Sequence, residues 1–523
     1  MRKIANDCGA RNGLRRSRQV LQNRWAAPTI GCLLTLLSLR ASAQAPKPAP
    51  APDTRITPEQ AQALFHSVDS ILQFDANDTG LPILHPVKRR LVTRDEVTEY
   101  LSRQLQKDRA AKRLQRDELI LKKFGLLPQT FDLKPFLIRL LREQVAGYYD
   151  EKTKTVNLLD WIPPDEQKPV LAHELTHALQ DQHVNLEKWD EDNEDSVPKN
   201  VAQDNQRIRQ DEQSTARDAV LEGQAMAVFV DYALRPTGRT LLTSPGLLDH
   251  MDQMLADTSD SPTLASAPLM LRRSLEFPYT DGLKLVAAVL AAKGREAAYA
   301  GMLDHPPSSS YQVMTPAAYL DHTAVPVLSM PDLHPLLKHE YSPYDVGAMG
   351  EFDVEVLAEV FGGKPVARSL APSWDGGYYY ATERKKDGSA DDGHSPDALA
   401  LLYVSRWKSS GAAAQFAQLY AQQIPRQYTD AVPDSGNSPE GMDWRWKTSA
   451  GPVVIARRGH MVFVSEGFAS GLTDKLEAMT VAATKTVNSS GEATPATPQS
   501  GRPAAELGQQ LRESLNALNV ALY

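Results

Sequence analysis

Cysteine is almost missing from this chain. Its 523 residues hold two, Cys8 and Cys32, both before residue 41. Downstream of that segment a disulfide scaffold, a thiolate metal site and a cysteine nucleophile are all excluded. A metal held by the remaining chain must use His, Asp or Glu. Long apolar runs are lacking too. The most prominent, Ala26–Leu39, falls short of the roughly 20 residues that span a bilayer. No repeat of fixed period occurs, which argues against solenoids and propellers. A basic excess is absent from the body of the chain. Residues 1–40 carry eight Lys/Arg against the single acid Asp7, so a formal net charge of -8 overall leaves -15 for the rest. An acidic body gives no footprint for a nucleic-acid partner.

What is present is ordinary globular composition, 42% hydrophobic and 23% charged, which excludes disorder and a polytopic membrane protein. The length implies two or three domains. The basic start, the apolar run and then Ala41-Ser42-Ala43 at the cleavage positions form a three-part signal-peptide pattern over 1–43. The mature protein is therefore expected from near Gln44, exported to the periplasm or the extracellular space, without a membrane span once the signal is removed.

Residues 44–56 form a linker containing the Pro/Ala tether Ala45–Pro52. Helical patterns dominate from Thr57 to about Asp345, giving a first domain over 57–346. Thr57-Pro58-Glu59-Gln60 opens one helix with an N-cap and Pro at its first position. Thr93-Arg94-Asp95-Glu96 opens another through a capping box and runs towards Phe124. Gln144–Tyr149 and Thr155–Leu159, either side of a turn, read as a hairpin. Across 347–487 the pattern changes to alternating segments at Gly377–Thr382, Ala398–Trp407, Asp443–Thr448, Pro452–Arg457 and His460–Ser465, with one helix at Ala412–Gln423. This predicts a smaller antiparallel α+β module, in which Trp374, Trp407, Trp444 and Trp446 are sheet core rather than a ligand box. Residues 488–523 read as a linker and a terminal helix. The fold class is α+β, a mainly helical domain followed by that module.

The chemistry is concentrated at Pro169–His183. Pro169 suits a first helical turn. Leu171, Leu175, Ala178 and Leu179 make one apolar stripe. His173 and His177 are one turn apart, so their imidazoles project side by side from another face and can enter one zinc coordination sphere. Glu174 follows the first of them, close enough to reach a zinc-activated water without ligating. This is the HExxH pattern: zinc acidifies water, the Glu takes its proton, and a polarised carbonyl is attacked. A lone histidine is more often packed core. A pair at this spacing with its Glu, on a helix with its own apolar face, reads as a site.

A third protein ligand is required, and two candidates compete. His183 lies ten residues after His173, the metzincin spacing. There a Gly lets the helix break and turn the last His back, whereas this chain has Gln180, for which a left-handed backbone is costly. In an unbroken helix His183 lies ~15 Å along the axis from His173. The other candidate is Glu222 in Leu221-Glu222-Gly223-Gln224-Ala225, an acid among small and apolar residues that suits a His2Glu site. Gly223 and Ala225 would let its helix pack closely on the His-bearing one. Asp218, one turn earlier, could orient a ligand histidine.

Together His173–His177 and Leu221–Ala225 resemble the gluzincins, the thermolysin-like clan of zinc metallopeptidases, and more narrowly a group of secreted bacterial members. Val145–Asp160, Phe277-Pro278-Tyr279 with Gly282, Pro306–Ser310 and Trp374–Gly377 belong to the same likeness. The resemblance implies a zincin-like domain and a peptide or protein substrate. It implies one Zn2+ per chain on His173, His177 and Glu222, with Glu174 as catalytic base. It also implies that the hairpin ending at Leu159 supplies an edge strand for substrate backbone. Gluzincins place a Tyr or His near the oxyanion. Tyr279, between Pro278 and Gly282 at a helix start, is the candidate, with Tyr148 and Tyr149 as alternatives. The chain departs from the pattern at Thr315-Pro316, where related sequences have His-Pro. The expectation from another class is an exported, non-catalytic zinc-binding protein. Glu174 separates the two, because a structural zinc has no use for an uncoordinated carboxylate beside it.

Overall fold

A computed structural model describes residues 55–487 except 107, 145–146, 190–196, 245, 249–250, 252–260, 386–395 and 435–441. Residues 1–43, expected to be an export signal, nearly all of the expected linker and the terminal segment 488–523 lie outside the described residues.

The N-terminal half is built from helices whose starts are written locally. Helix α1 (Pro58–Thr79) has a complete capping box: Thr57 Oγ1 accepts from the Gln60 amide, and Gln60 Oε1 accepts from the Thr57 amide at 2.8 Å. It ends at Gly80 in the left-handed region. After strand β1 (Lys88–Val92) the second capping box is also formed, with the Thr93 amide donating to Glu96 Oε2 at 2.8 Å. The helix it opens is described as α2 (Arg94–Gln106) and α3 (Asp108–Lys123), residue 107 between them lying outside the described residues. Helix α4 (Leu133–Gln144) takes the residue at which the hairpin was expected to begin, and the strand starts later, β2 being Tyr148–Asp150. Its partner β3 (Thr155–Leu159) is central, because β1 pairs with its other side in parallel. The edge strands of this small sheet are therefore β1 and β2.

Three long helices follow. Helix α5 (Pro164–Val184) starts five residues before Pro169, with Pro164 in the first turn instead. Pro169 sits inside it, where it removes only the amide that would have paired with Asp165. Helix α6 (Val201–Leu234) is 34 residues long and has Asn200 as N-cap. Helix α7 (Leu269–Lys293) begins well before Pro278, so Tyr279 lies mid-helix rather than at a helix start. Helices α6 and α7 cross at their glycines. A Cβ on Gly223 would lie 2.3 Å from the Gly282 carbonyl carbon, and one on Gly282 would lie 2.2 Å from the Ala219 oxygen. Gly223 thus serves the contact with α7, not the expected one with the His-bearing helix.

The remainder is a seven-stranded, fully antiparallel sheet. It comprises β4 (Tyr341–Ala348), β5 (Trp374–Arg384), β6 (Leu399–Trp407), β7 (Val432–Pro433), β8 (Asp443–Thr448), β9 (Gly451–Arg458) and β10 (Met461–Glu466), in the order β4-β5-β6-β10-β9-β8-β7. Alternate residues enter two different cores, as the period of a strand requires. Tyr379, Tyr403 and Val464 lie in register on one face with Phe416 and Tyr420 of helix α9 (Ser410–Gln427) and with Phe352 and Phe361 of helix α8 (Glu351–Gly362). Tyr378, Val404 and Phe463 face the opposite way, towards Leu476 of helix α10 (Ser470–Val487) and the segment holding Leu328, Leu333 and Leu337. The first of these cores is continuous with that of the helical half. Trp374, Trp407 and Trp446 are buried in it, and Trp444 is partly buried against it.

Residues from Pro306–Ser310 and Trp374–Gly377 hold these parts together. Glu212 on α6 accepts from the Ser310 amide at 3.0 Å and from the Ser310 hydroxyl at 2.9 Å. Trp374 Nε1 donates to the Met349 carbonyl at 2.9 Å. The architecture is α+β, and among the described residues no helix is long and apolar enough to cross a membrane.

Candidate metal centre

Helical spacing brings the two histidines of α5 together. Their rings stand edge to face with centroids 4.8 Å apart and Nε2 atoms 3.1 Å apart. Helix α6 delivers Glu222, whose Oε2 is 3.2 Å from His173 Nε2 and 3.6 Å from His177 Nε2. These three donors form the potential metal-binding group found among the described residues. Their spacing fits a small tetrahedral ion: bonds of about 2.0–2.1 Å place ligand atoms roughly 3.3 Å apart. The donor set, two imidazoles and one carboxylate without thiolate, is one that zinc accepts. His173, Glu174 and Glu222 are buried.

The electrostatics follow from that burial. Glu222 is opposed by desolvation, yet the facing imidazoles of His177 and His173 hold it well below the usual carboxylate range. His177 is disfavoured as a cation by burial, but Glu222 and then Glu174 outweigh this and lift it to about 9. Glu174 is pushed up by burial, against the pull of the two imidazoles. It does not belong to the donor group. Its Oε2 accepts from the Tyr149 amide at 2.8 Å, so the edge strand β2 holds the carboxylate beside the cluster.

Of the three tyrosines considered, Tyr279 is the one at the cluster. Its ring stacks near His173 at 6.1 Å with an interplanar angle of 20°, and its phenol lies within the influence of Glu222. Burial, then the charges of Glu222 and Glu174, drive its ionisation far above the ordinary range, so it stays a neutral phenol. The Tyr149 hydroxyl is turned to Asp181 Oδ2 at 2.7 Å, and Asp181 is also paired with Lys154. Tyr148 stacks on Tyr100, and burial pushes its phenol up to about 12. Asp218 is buried on α6, and its charge reaches Tyr279. His183 is not part of the cluster: α5 continues to Val184 and carries it to Asp304, where Nε2 meets Oδ1 at 3.0 Å. Thr315 and Pro316 form the junction of two single-turn helices, Ser310–Met314 and Pro316–Leu320.

Sequence reasoning missed two glutamines. Gln180 Oε1 lies 2.8 Å from His177 Nδ1, and Gln180 Nε2 reaches Gln224 Oε1 at 2.9 Å. Their signal was available: Gln180 is one turn after His177, and Gln224 follows Glu222 by two residues.

Comparison with protein families, with curated proteins and with solved structures finds no match to this chain.

Proposed function

We propose that the protein is a zinc-dependent metallopeptidase with a zincin-like helical domain. The observation that carries the reading is a buried His173/His177/Glu222 donor set with a second acid, Glu174, held beside it by a backbone amide and outside the donor group. When bound there, zinc supplies Lewis acidity towards water and a peptide carbonyl. Glu174 takes the proton of the attacking water and passes it to the leaving amine. The neutral Tyr279 phenol is the donor available to charge developing on the carbonyl oxygen. Strand β2 offers its free edge to substrate backbone, and export would place the enzyme among periplasmic or extracellular peptides.

The test is metal analysis of the purified protein with cleavage of a mixed-peptide set. Zinc near one per chain and cleavage are expected. Glu174→Gln is expected to keep the zinc while hydrolysis falls by several orders of magnitude. Zinc retained by the parent with no cleavage would instead favour the non-catalytic zinc-binding reading.

A further inference from the structure

Gln180 and Gln224 are buried and fully committed, and their bonds run in one direction only. The starting point is a pair of backbone carbonyls, which can accept but never donate. Ala298 and Tyr299 belong to a wide π-helical turn, Ala297–Gly301, and both carbonyls receive Gln224 Nε2, at 2.7 and 3.0 Å. Both amide hydrogens of Gln224 are thereby used, and its Oε1 must be the end that faces α5. There it accepts from Gln180 Nε2 at 2.9 Å, and the second Gln180 amide hydrogen goes to the Leu221 carbonyl at 3.0 Å. Gln180 Oε1 is thus the end left for His177 Nδ1. An amide oxygen has no proton to give, so Nδ1 must carry one, and in the neutral ring the lone pair falls on Nε2. That is the atom facing His173 and Glu222.

We infer that Gln180 is a positioning residue for the metal ligand His177, and that Gln224 and the turn Ala297–Gly301 fix the direction in which Gln180 acts. The inference rests on the zinc reading above and adds what sets one ligand's tautomer and ring orientation. Every link has one permitted polarity, so the tautomer is dictated by carbonyls on a third element. Outer partners of this kind are worth about 10–100-fold in metal affinity. Two glutamines that merely packed would contribute separately; a relay predicts that they do not.

The experiment measures zinc affinity by competition with a chromophoric chelator, on the parent and on Gln180→Met, Gln224→Met, the double variant and Gln180→Glu, each checked for folding by circular dichroism. Parent protein that fails to bind zinc would reject the metal site itself, whatever the glutamines do. With zinc bound by the parent, Gln180→Met is expected to weaken it by about 10–100-fold. Gln224→Met should weaken it in the same direction, and the double variant should be no weaker than Gln180→Met alone. Gln180→Glu keeps an acceptor for Nδ1–H but sets its second carboxylate oxygen against the Leu221 carbonyl and Gln224 Oε1, so it should recover only part of the affinity. A spectroscopic signature is expected with this: in the Co2+-loaded parent the His177 Nδ1–H proton should exchange slowly with solvent, and in Gln180→Met it should exchange fast. Unchanged affinity in Gln180→Met, or losses in the two single variants that simply add, would overturn the relay. If Gln180→Met does not fold, Gln224→Met decides alone, and an unaltered Nδ1–H exchange rate with unaltered affinity refutes it.

Discussion

Replacing Gly223 by alanine tests how α6 is held at the metal site. The added Cβ would stand 2.3 Å from the Gly282 carbonyl carbon, 2.4 Å from its oxygen and 2.9 Å from its Cα. Carbon atoms attract best at about 3.5–4.0 Å, so α7 must withdraw by roughly 1 Å. The obstacle is backbone, which cannot rotate aside as a side chain would. Overpacking a core costs typically about 1–3 kcal/mol, and a backbone clash belongs at the upper end of that range. At about 3 kcal/mol the folded population falls roughly a hundredfold relative to the unfolded. The displacement also reaches the donors, because Glu222 is the preceding residue and Tyr279 lies one turn before Gly282. Gly223→Ala is therefore expected to lower both the urea midpoint of the metal-free protein and its zinc affinity. Gly282→Ala, whose Cβ meets the Ala219 oxygen at 2.2 Å, should behave alike. The double variant should cost less than the sum, since one separation of the helices accommodates both methyls. A Gly223→Ala protein within about 0.5 kcal/mol of the parent would refute the crossing as drawn.

Two further outcomes concern the donors. Dialysis against a mild chelator should strip zinc from Glu222→Ala and Glu222→Gln but not from His183→Ala; metal lost only from His183→Ala would overturn the assignment of the third ligand. The pH dependence has a defined sign. His177 is raised from 6.5 to about 9 in the metal-free fold, so its contribution to stability is complete below about pH 6.5 and is lost as pH rises through 9. Metal takes the place of that proton, so the gap in melting temperature between zinc-loaded and chelator-treated protein should widen from pH 6.5 to 9, and a constant gap would contradict it.

Much of the fold was legible where the information is local. The N-cap at Thr57 and the capping box at Thr93 each need four consecutive residues and are formed as read, and the Thr57 cap is completed into a box by Gln60. The alternating strands of the sheet are visible because their period is a property of each segment. What is not local was misread. The central place of β3 depends on a parallel pairing between Lys88 and Thr155, sixty-seven residues apart, which no periodicity encodes. Helix α8 went unread because Phe352, Val354 and Val356 alternate with polar neighbours before the helical spacing at Leu357 and Phe361 becomes visible. The start of α7 was placed too late because Pro278 looks like a first-turn proline, and only the apolar packing of Met270, Leu271 and Phe277 shows the helix already under way.

The site divides in the same way. His173, Glu174 and His177 could be read because one helical turn fixes their relation, whatever the rest of the chain does. Glu222 could be read from chemistry, as the acid out of place among small residues. Gln180 was read only as an obstacle, the residue standing where a helix-breaking glycine would be needed to bring His183 round. Its use depends on what faces it, Leu221 and Gln224, forty-one and forty-four residues away. Yet both facts come from one residue. Bonded to two positions of α6, Gln180 belongs to an unbroken α5, which carries His183 onward to Asp304 and leaves the third donor to be supplied by α6 itself. That donor, Glu222, lies between the two residues of α6 that Gln180 grips, so the contact that removes one candidate ligand is the contact that registers the other.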